Sequence, residues 1–199
     1  MINNEIQITQ IIDEIQKDEI LSIMYDAFEK KLSNLELKPK SREQGLRILR
    51  KSANYDQGLY AIHKSGIIGA VGMNSRKKRF YYFEWKVLLE EFGFIGASWR
   101  SIIQKYSADS LKDTELYIGS IAVAENYRGK GIGTKLLDAV KDLARNNGFE
   151  SIILDVVDTN PRAFDLYKRY GYEVIKKRKF GFITRSAGFS FSYKMRYTI

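Results

Sequence analysis

Arg128-Gly129-Lys130-Gly131-Ile132-Gly133 follows an apolar, β-prone run from Leu116 to Val123 and a turn at Ala124-Glu125-Asn126-Tyr127. It precedes Thr134 to Asn147, where Leu136, Leu137, Val140, Leu143 and Ala144 recur on one helical face and Gly148 supplies the stop. A basic, glycine-rich turn between a strand and a helix is an anion site for two physical reasons. Glycine lets the backbone approach a ligand closely, and the unpaired N–H groups of the first helical turn face it with the positive end of the helix dipole. Arg128 and Lys130 add charge. A phosphate-binding Walker loop needs Gly five residues after Gly129, where Thr134 stands. A dinucleotide-binding turn reads G-x-G-x-x-G at the head of a long parallel α/β domain, with an acid about 20 residues on. Asp155 stands at a suitable distance, but the glycines here are spaced G-x-G-x-G and only one strand-helix-strand unit precedes the terminal strands.

Outward from this turn the chain alternates strands and helices. Downstream, Ser151 to Val157 reads as a strand interrupted by Asp155, and Asn160-Pro161 as an N-cap with proline at the first helical position. That helix ends at Tyr170-Gly171, and Tyr172 to Lys179 and Ser190 to Thr198 read as the last strands. Upstream, Glu5 to Ile11 predicts a strand, Asp13 to Leu32 and Ser41 to Ser52 predict helices, and Tyr55 to Gly58 a turn. Leu59 to His63 and Ile67 to Met73 predict a hairpin around Lys64-Ser65-Gly66. Residues 75 to 115 differ in character. Nine of the 26 aromatic residues fall between Phe80 and Tyr106, and Phe83 to Glu91 and Ala97 to Tyr106 look helical on either side of Gly93 and Gly96. This helical insert suits plain packing, a substrate lid or a homodimer surface; the run Arg76-Lys77-Lys78-Arg79 before it would also suit an interfacial membrane helix.

At 199 residues the chain fits one domain, residues 1 to 199. Without cysteine, disulfides, thiolate metal sites and cysteine nucleophiles are excluded, and His63 as the one histidine excludes any pair of imidazoles, so no metal is expected. Met1 to Glu5 shows no basic start before an apolar run, and no stretch approaches about 18 apolar residues, which predicts a cytoplasmic protein off the membrane. The net charge of +9 is uneven: residues 160 to 199 carry +8 and the first 40 carry −3. That asymmetry fits a polyanionic partner, whether nucleic acid, acidic lipid or a phosphorylated small molecule.

The glycine-rich turn resembles the R/Q-x-x-G-x-G/A signature of the GNAT superfamily of N-acetyltransferases. The likeness extends through Ile118 to Val123, the following helix, and Asn160 to Tyr172, which is similar to the family's N-x-x-A-x-x-L-Y-x-x-x-G-F/Y motif. Two motifs in order, about 30 residues apart, are far more specific than either alone. The resemblance implies an α+β fold in three α/β layers, with a central mixed, mostly antiparallel twisted sheet flanked by helices. It also implies acetyl-CoA as co-substrate. The pantetheine arm would lie between splayed strands and pair near Ile121, Ala122 and Val123. The pyrophosphate would rest on Arg128, Gly129, Lys130, Gly131, Ile132, Gly133 and Thr134, and Asn160, Phe164 and Tyr167 would line the other side.

By the same resemblance Tyr167 is the general acid; a phenol with a pKa of about 10 can protonate a thiolate without being ionised at neutral pH. An N–H near Val123 would meet the oxyanion. Relatives carry a base glutamate where Tyr117 stands, and period two puts Glu115 on the same strand face, which makes Glu115 the candidate base. Glu84 and Glu90 are further candidates. The expected function is direct acetyl transfer, in a ternary complex, to a primary amine on a small molecule, peptide or protein. A competing reading is a noncatalytic module of the same fold that holds nucleic acid on its basic C-terminal surface. The alternation of strand side chains counts against it, because Lys176-Lys177-Arg178-Lys179 does not form one stripe.

Overall fold

The computed structural model describes residues 5–64, 66–107, 110–180 and 184–199. Ser65 of the expected hairpin turn and the first four residues lie outside them. Among the described residues, β1 (Ile6–Thr9), β2 (Gly58–His63), β3 (Gly66–Asn74), β4 (Glu115–Val123), β5 (Ser151–Val157), β6 (Glu173–Lys179) and β7 (Phe191–Thr198) form one sheet in the order β1-β2-β3-β4-β5-β7-β6. Every neighbouring pair is antiparallel except β4 with β5. This is the mixed, mostly antiparallel α+β sheet expected from the sequence.

Helices cover both faces. On one, α4 (Ile132–Asn146) and α5 (Pro161–Tyr170) pack over the sheet, with Leu136, Leu137, Val140 and Ala144 of α4 buried against Leu59, Ala61, Val71 and Ile118. On the other, α1 (Glu14–Lys31) buries Ile20 and Met24 against Tyr60, Ile67 and Ala70. The period of two sends Leu59 and Ala61 of β2 to the first face and Tyr60 between them to the second. Outside α1, α2 (Arg42–Ser52) and α3 (Trp85–Ser107) add a second small core around Leu21, Tyr25, Ile48, Leu49 and Leu88.

Helix starts follow their caps. Asp13 and Gln16 form a reciprocal capping box at α1, Ser41 accepts from the Gln44 N–H at α2, and Asn160 accepts from the Ala163 N–H at α5 with Pro161 next in the chain. The two helices expected in the aromatic insert are one element, α3, broken only at Gly93, whose φ of 67° is not helical. After α1 the chain continues through a wide turn at Leu32–Glu36, which the sequence pattern did not announce.

Candidate active site

A change in strand pairing opens the middle of the sheet. β4 and β5 pair from Glu115 with Ser151 to Ile118 with Leu154 and no further, although β4 runs on to Val123 and β5 to Val157. Beyond that point β4 stays with β3, and β5 stays with β7 through Val157. The divergence has a local cause. Met73 pairs with Ile118 and Gly72 with Ser120, so Gly119 is an extra residue on β4, a bulge that increases local twist. A Cβ at Gly119 would stand 2.9 Å from the Asn74 Nδ2. Glycine at the bulge leaves room for the Asn74 amide, whose Oδ1 accepts from the Phe80 N–H.

The divergence opens a cleft of about 550 Å³ that passes through the sheet. On the α5 side Asn160, Ala163 and Tyr167 line it; on the α1 side Phe28, Lys31, Leu35, Ile103, Phe180 and Phe189 do. Between them lies Asp155 of β5. Its Oδ2 accepts from the Tyr117 hydroxyl at 3.1 Å and its Oδ1 from the Ser192 hydroxyl at 3.2 Å. Lys31 pairs with Glu36 at 2.8 Å, and that carboxylate raises its pKa, with Asp155 adding to the effect. Tyr167 is 7% exposed, and burial pushes its phenol up to about 12.

Helix α4 begins beside α5, outside the residues that line the cleft: Arg162 Nη2 stands 3.5 Å from where a Gly129 Cβ would be, and Leu166 Cδ2 4.0 Å from where a Gly133 Cβ would be. Gly131 occupies the N-cap position in the left-handed region, at φ 81°, and being glycine it caps no amide with a side chain. The first intrahelical bond runs from the Lys135 N–H to the Gly131 carbonyl. The amides before Lys135 are therefore the orphan donors of the first turn, available to an anion. Nothing stands within 4 Å of where a Gly131 Cβ would be.

A family model described as the acetyltransferase (GNAT) family matches residues 21–172. The chain belongs to that family. It is 33% identical over 98 residues to N-alpha-acetyltransferase 30 of Schizosaccharomyces pombe, a stretch covering 47% of this chain and 63% of the relative. Over 66 residues it is 39% identical to thialysine N-epsilon-acetyltransferase of Bos taurus, covering 33% of this chain and 39% of that one. The matches thus span less than two thirds of these relatives' own length. An N-acetyltransferase from Staphylococcus aureus Mu50 shares the fold with a TM-score of 0.66 at 20% identity, over 96% of this chain and all of that one. A GNAT protein from Kribbella flavida does so with a TM-score of 0.59 at 18% identity, over 99% of both chains.

Within this GNAT fold, the residues singled out from the sequence separate into three groups. Ile121, Asn160 and Tyr167 line the cleft, and Gly129 to Thr134 form the turn and first residues of α4. Arg128 is turned back to the end of β4, its Nε donating to the Val123 carbonyl at 3.0 Å, and Lys130 donates to the Asn126 carbonyl at 2.8 Å. Ala122 is buried on the α1 side of the sheet, and Phe164 packs on Tyr193 with ring centroids 4.8 Å apart.

Glu115 stands apart from the others. It lies at the opposite end of β4, 8% exposed, accepting from Arg196 Nη2 and from the Lys112 N–H, both at 3.1 Å. Four residues of extended strand, roughly 13 Å, separate it from Gly119, and it does not line the cleft. Glu84 and Glu90 do not line it either; Glu90 pairs with Lys51. Three carboxylates do line it, Asp26 and Glu29 of α1 and Asp155 of β5; Asp26 pairs with Arg42, and Asp155 is the one that lies on the diverging strands. An acid breaking an otherwise apolar strand was its signal in the sequence. Arg162 was also missed: its guanidinium reaches within 3.5 Å of where a Gly129 Cβ would stand, adding a cation beside the turn.

Proposed function

We propose that this protein transfers the acetyl group of acetyl-CoA to a primary amine by direct attack in a ternary complex. The observation that carries this reading is the divergence of β4 from β5 after Ile118 and Leu154, beside the uncapped amides that open α4. Together they would offer unpaired strand edges to an extended amide-bearing arm and first-turn amides to a pyrophosphate. Ile121, Ala122 and Val123 would pair with pantetheine, and Arg128 to Thr134, with Arg162, would receive the phosphates. Asn160 and Phe164 would flank the arm from α5. The relatives' names, an N-alpha- and an N-epsilon-acetyltransferase, support an amine as acceptor.

In the proposed reaction the amine nitrogen enters from the α1 side and attacks the thioester carbon. A C–N bond forms as the carbonyl electron pair moves to oxygen, where the Val123 N–H would receive it. Collapse breaks the C–S bond, and the thiolate takes the Tyr167 phenolic proton. The proton leaving nitrogen passes to Asp155, directly or through water, and then to the phenolate, so amide and free thiol are the net products. Asp155 takes the role expected of Glu115, whose carboxylate is held by Arg196. Phe28, Leu35, Ile103, Phe180 and Phe189 on the acceptor side favour an amine carried on an apolar group.

Isothermal titration with acetyl-CoA tests the first half of this reading, and free-thiol release across a panel of amines tests the second. Binding in the micromolar range is expected; an absence of heat up to about 1 mM ligand would sink the proposal. Asp155→Asn should lower thiol release with acetyl-CoA affinity kept, and an unchanged rate would return the base to water or another group.

A further inference from the structure

The aromatic insert meets the cleft through Ile103, yet most of its apolar surface faces the other way. Along α3, Trp85, Leu89, Phe94, Ile95, Trp99 and Ile102 are 44, 40, 71, 85, 52 and 61% exposed. Helical spacing sets Ile95, Trp99 and Ile102 on one side, opposite the stripe through Ala97, Arg100 and Ile103 that packs inward. The break at Gly93 does not divide this surface. The Trp85 and Phe94 rings meet edge to face across it, with centroids 5.8 Å apart, so the outward sides of both halves form one apolar strip.

The size of the strip argues for a partner. At roughly 150 to 250 Å² per aromatic side chain and about 150 Å² per Leu or Ile, the six exposures leave roughly 600 Å² of apolar side chain in water. Isolated monomers rarely carry contiguous patches above about 300 to 600 Å², whereas a stable protein interface covers about 800 Å² per partner. The strip therefore stands at the top of the range for a monomer and supplies most of one side of such an interface.

The charges around it indicate which partner. Glu84 is exposed immediately before the first residue of α3, and Lys105 is exposed in its last turn. Two copies packed about a two-fold axis with their α3 helices antiparallel bring each Glu84 to the other copy's Lys105. The same arrangement opposes the helix dipoles favourably and places Phe94 and Ile95, midway along the strip, near the axis. An anionic lipid surface would meet Glu84 beside Lys86 at one end of the strip, whereas a second copy pairs Glu84 with Lys105 at both ends, so this pairing favours self-association. We propose that this strip is the contact between two copies of the chain. Because Ile103 on the inner side of the same helix lines the cleft, the contact would also brace one wall of the acceptor site.

The chain has two tryptophans and both lie in the strip, so their emission reports on its burial. Sedimentation velocity over about 1 to 200 µM should show the monomer giving way to a dimer, with tryptophan emission moving to shorter wavelength over the same range. A variant combining Ile95→Glu and Ile102→Glu, both at well-exposed positions, should stay monomeric while binding acetyl-CoA as the parent does. Should that variant fail to fold, the dilution series of the unaltered protein decides alone. A monomer with unchanged emission throughout would overturn the proposal. So would a dimer that survives both substitutions in a folded variant. A monomer whose emission shifts only when vesicles of phosphatidylcholine and phosphatidylglycerol are added would assign the strip to lipid and overturn it as well.

Discussion

Tyr167 shows how burial prepares a single side chain. Its phenol lies in the apolar side of the cleft wall, ring to ring with Tyr172 at 5.7 Å, and desolvation of the phenolate holds it up to about 12. The sign follows directly: the folded-state pKa stands above that of a free tyrosine, so the neutral form is the favoured one. Its contribution to stability is complete below about pH 10 and fades as pH rises through about 12. An acid in that state keeps its proton through the range, around pH 10, in which an ordinary primary amine loses one. The rate should accordingly climb with pH as the acceptor deprotonates and should not fall before about pH 11; a descending limb centred near pH 10 would contradict this. Tyr167→Phe should reduce kcat on the order of 100-fold while calorimetric affinity for acetyl-CoA stays nearly constant. An unaltered kcat would remove the acid role.

At the scale of elements, two junctions tie local conformation to the packing of helices. Helix α4 starts on Gly131 in the left-handed region, which costs an L side chain about 1 to 2 kcal/mol. Gly131→Ala should lower the unfolding midpoint and, by displacing the first-turn amides, weaken acetyl-CoA binding. A lowered midpoint with unaltered binding would show that these amides do not hold the phosphates. The second junction is Glu91, which fastens α3 to α2. Arg47 donates to its two oxygens at 2.9 and 2.8 Å, and Lys51 and Gln44 also reach it. Those hydrogen bonds, Arg47's foremost, hold its carboxyl down to about 2 from the ordinary 4.5. A depressed pKa means that the stabilisation is present above about pH 4.5 and is lost as pH falls toward 2. Glu91→Gln should therefore reduce the urea midpoint at pH 7, with the difference from the unaltered protein shrinking as pH drops below 4.5. An equal difference at both extremes would rule out Glu91 ionisation as its source.

For the molecule as a whole, much of the excess positive charge lies in two places, with Arg178 of the second also lining the cleft. Arg128, Lys130 and Arg162 surround the turn where a polyanionic co-substrate is proposed to sit. The run Lys176-Lys177-Arg178-Lys179 occupies β6, the last strand of the sheet. A sheet edge offers unpaired backbone to any other strand, and exposed lysines are a common guard against that. A bulge between Val174 and Lys176 further disturbs the edge, and Lys177 lies over the Phe191 ring at 3.7 Å. Replacing Lys176 and Lys179 by Val should hasten aggregation on warming, read by light scattering, without altering acetyl-CoA affinity. If scattering onset does not move, the run has another purpose. No helix among the described residues is long and apolar enough to cross a membrane.

The sequence by itself determined the elements whose cause is local. Apolar periodicity placed α4 and β5, Asn160 with Pro161 placed the start of α5, and the glycine turn placed the start of α4. Those features depend on residues a few positions apart, so the order of amino acids contains them. The cleft depends on pairing between distant strands. Only the tertiary structure shows that Gly119 is surplus against β3, that β4 consequently leaves β5 after Ile118, and that Asp155, Tyr117 and Ser192 converge there from three strands. The same long-range pairing brings Arg196 to Glu115, 81 positions apart in the chain, and removes from the cleft the carboxylate that strand alternation alone had put forward.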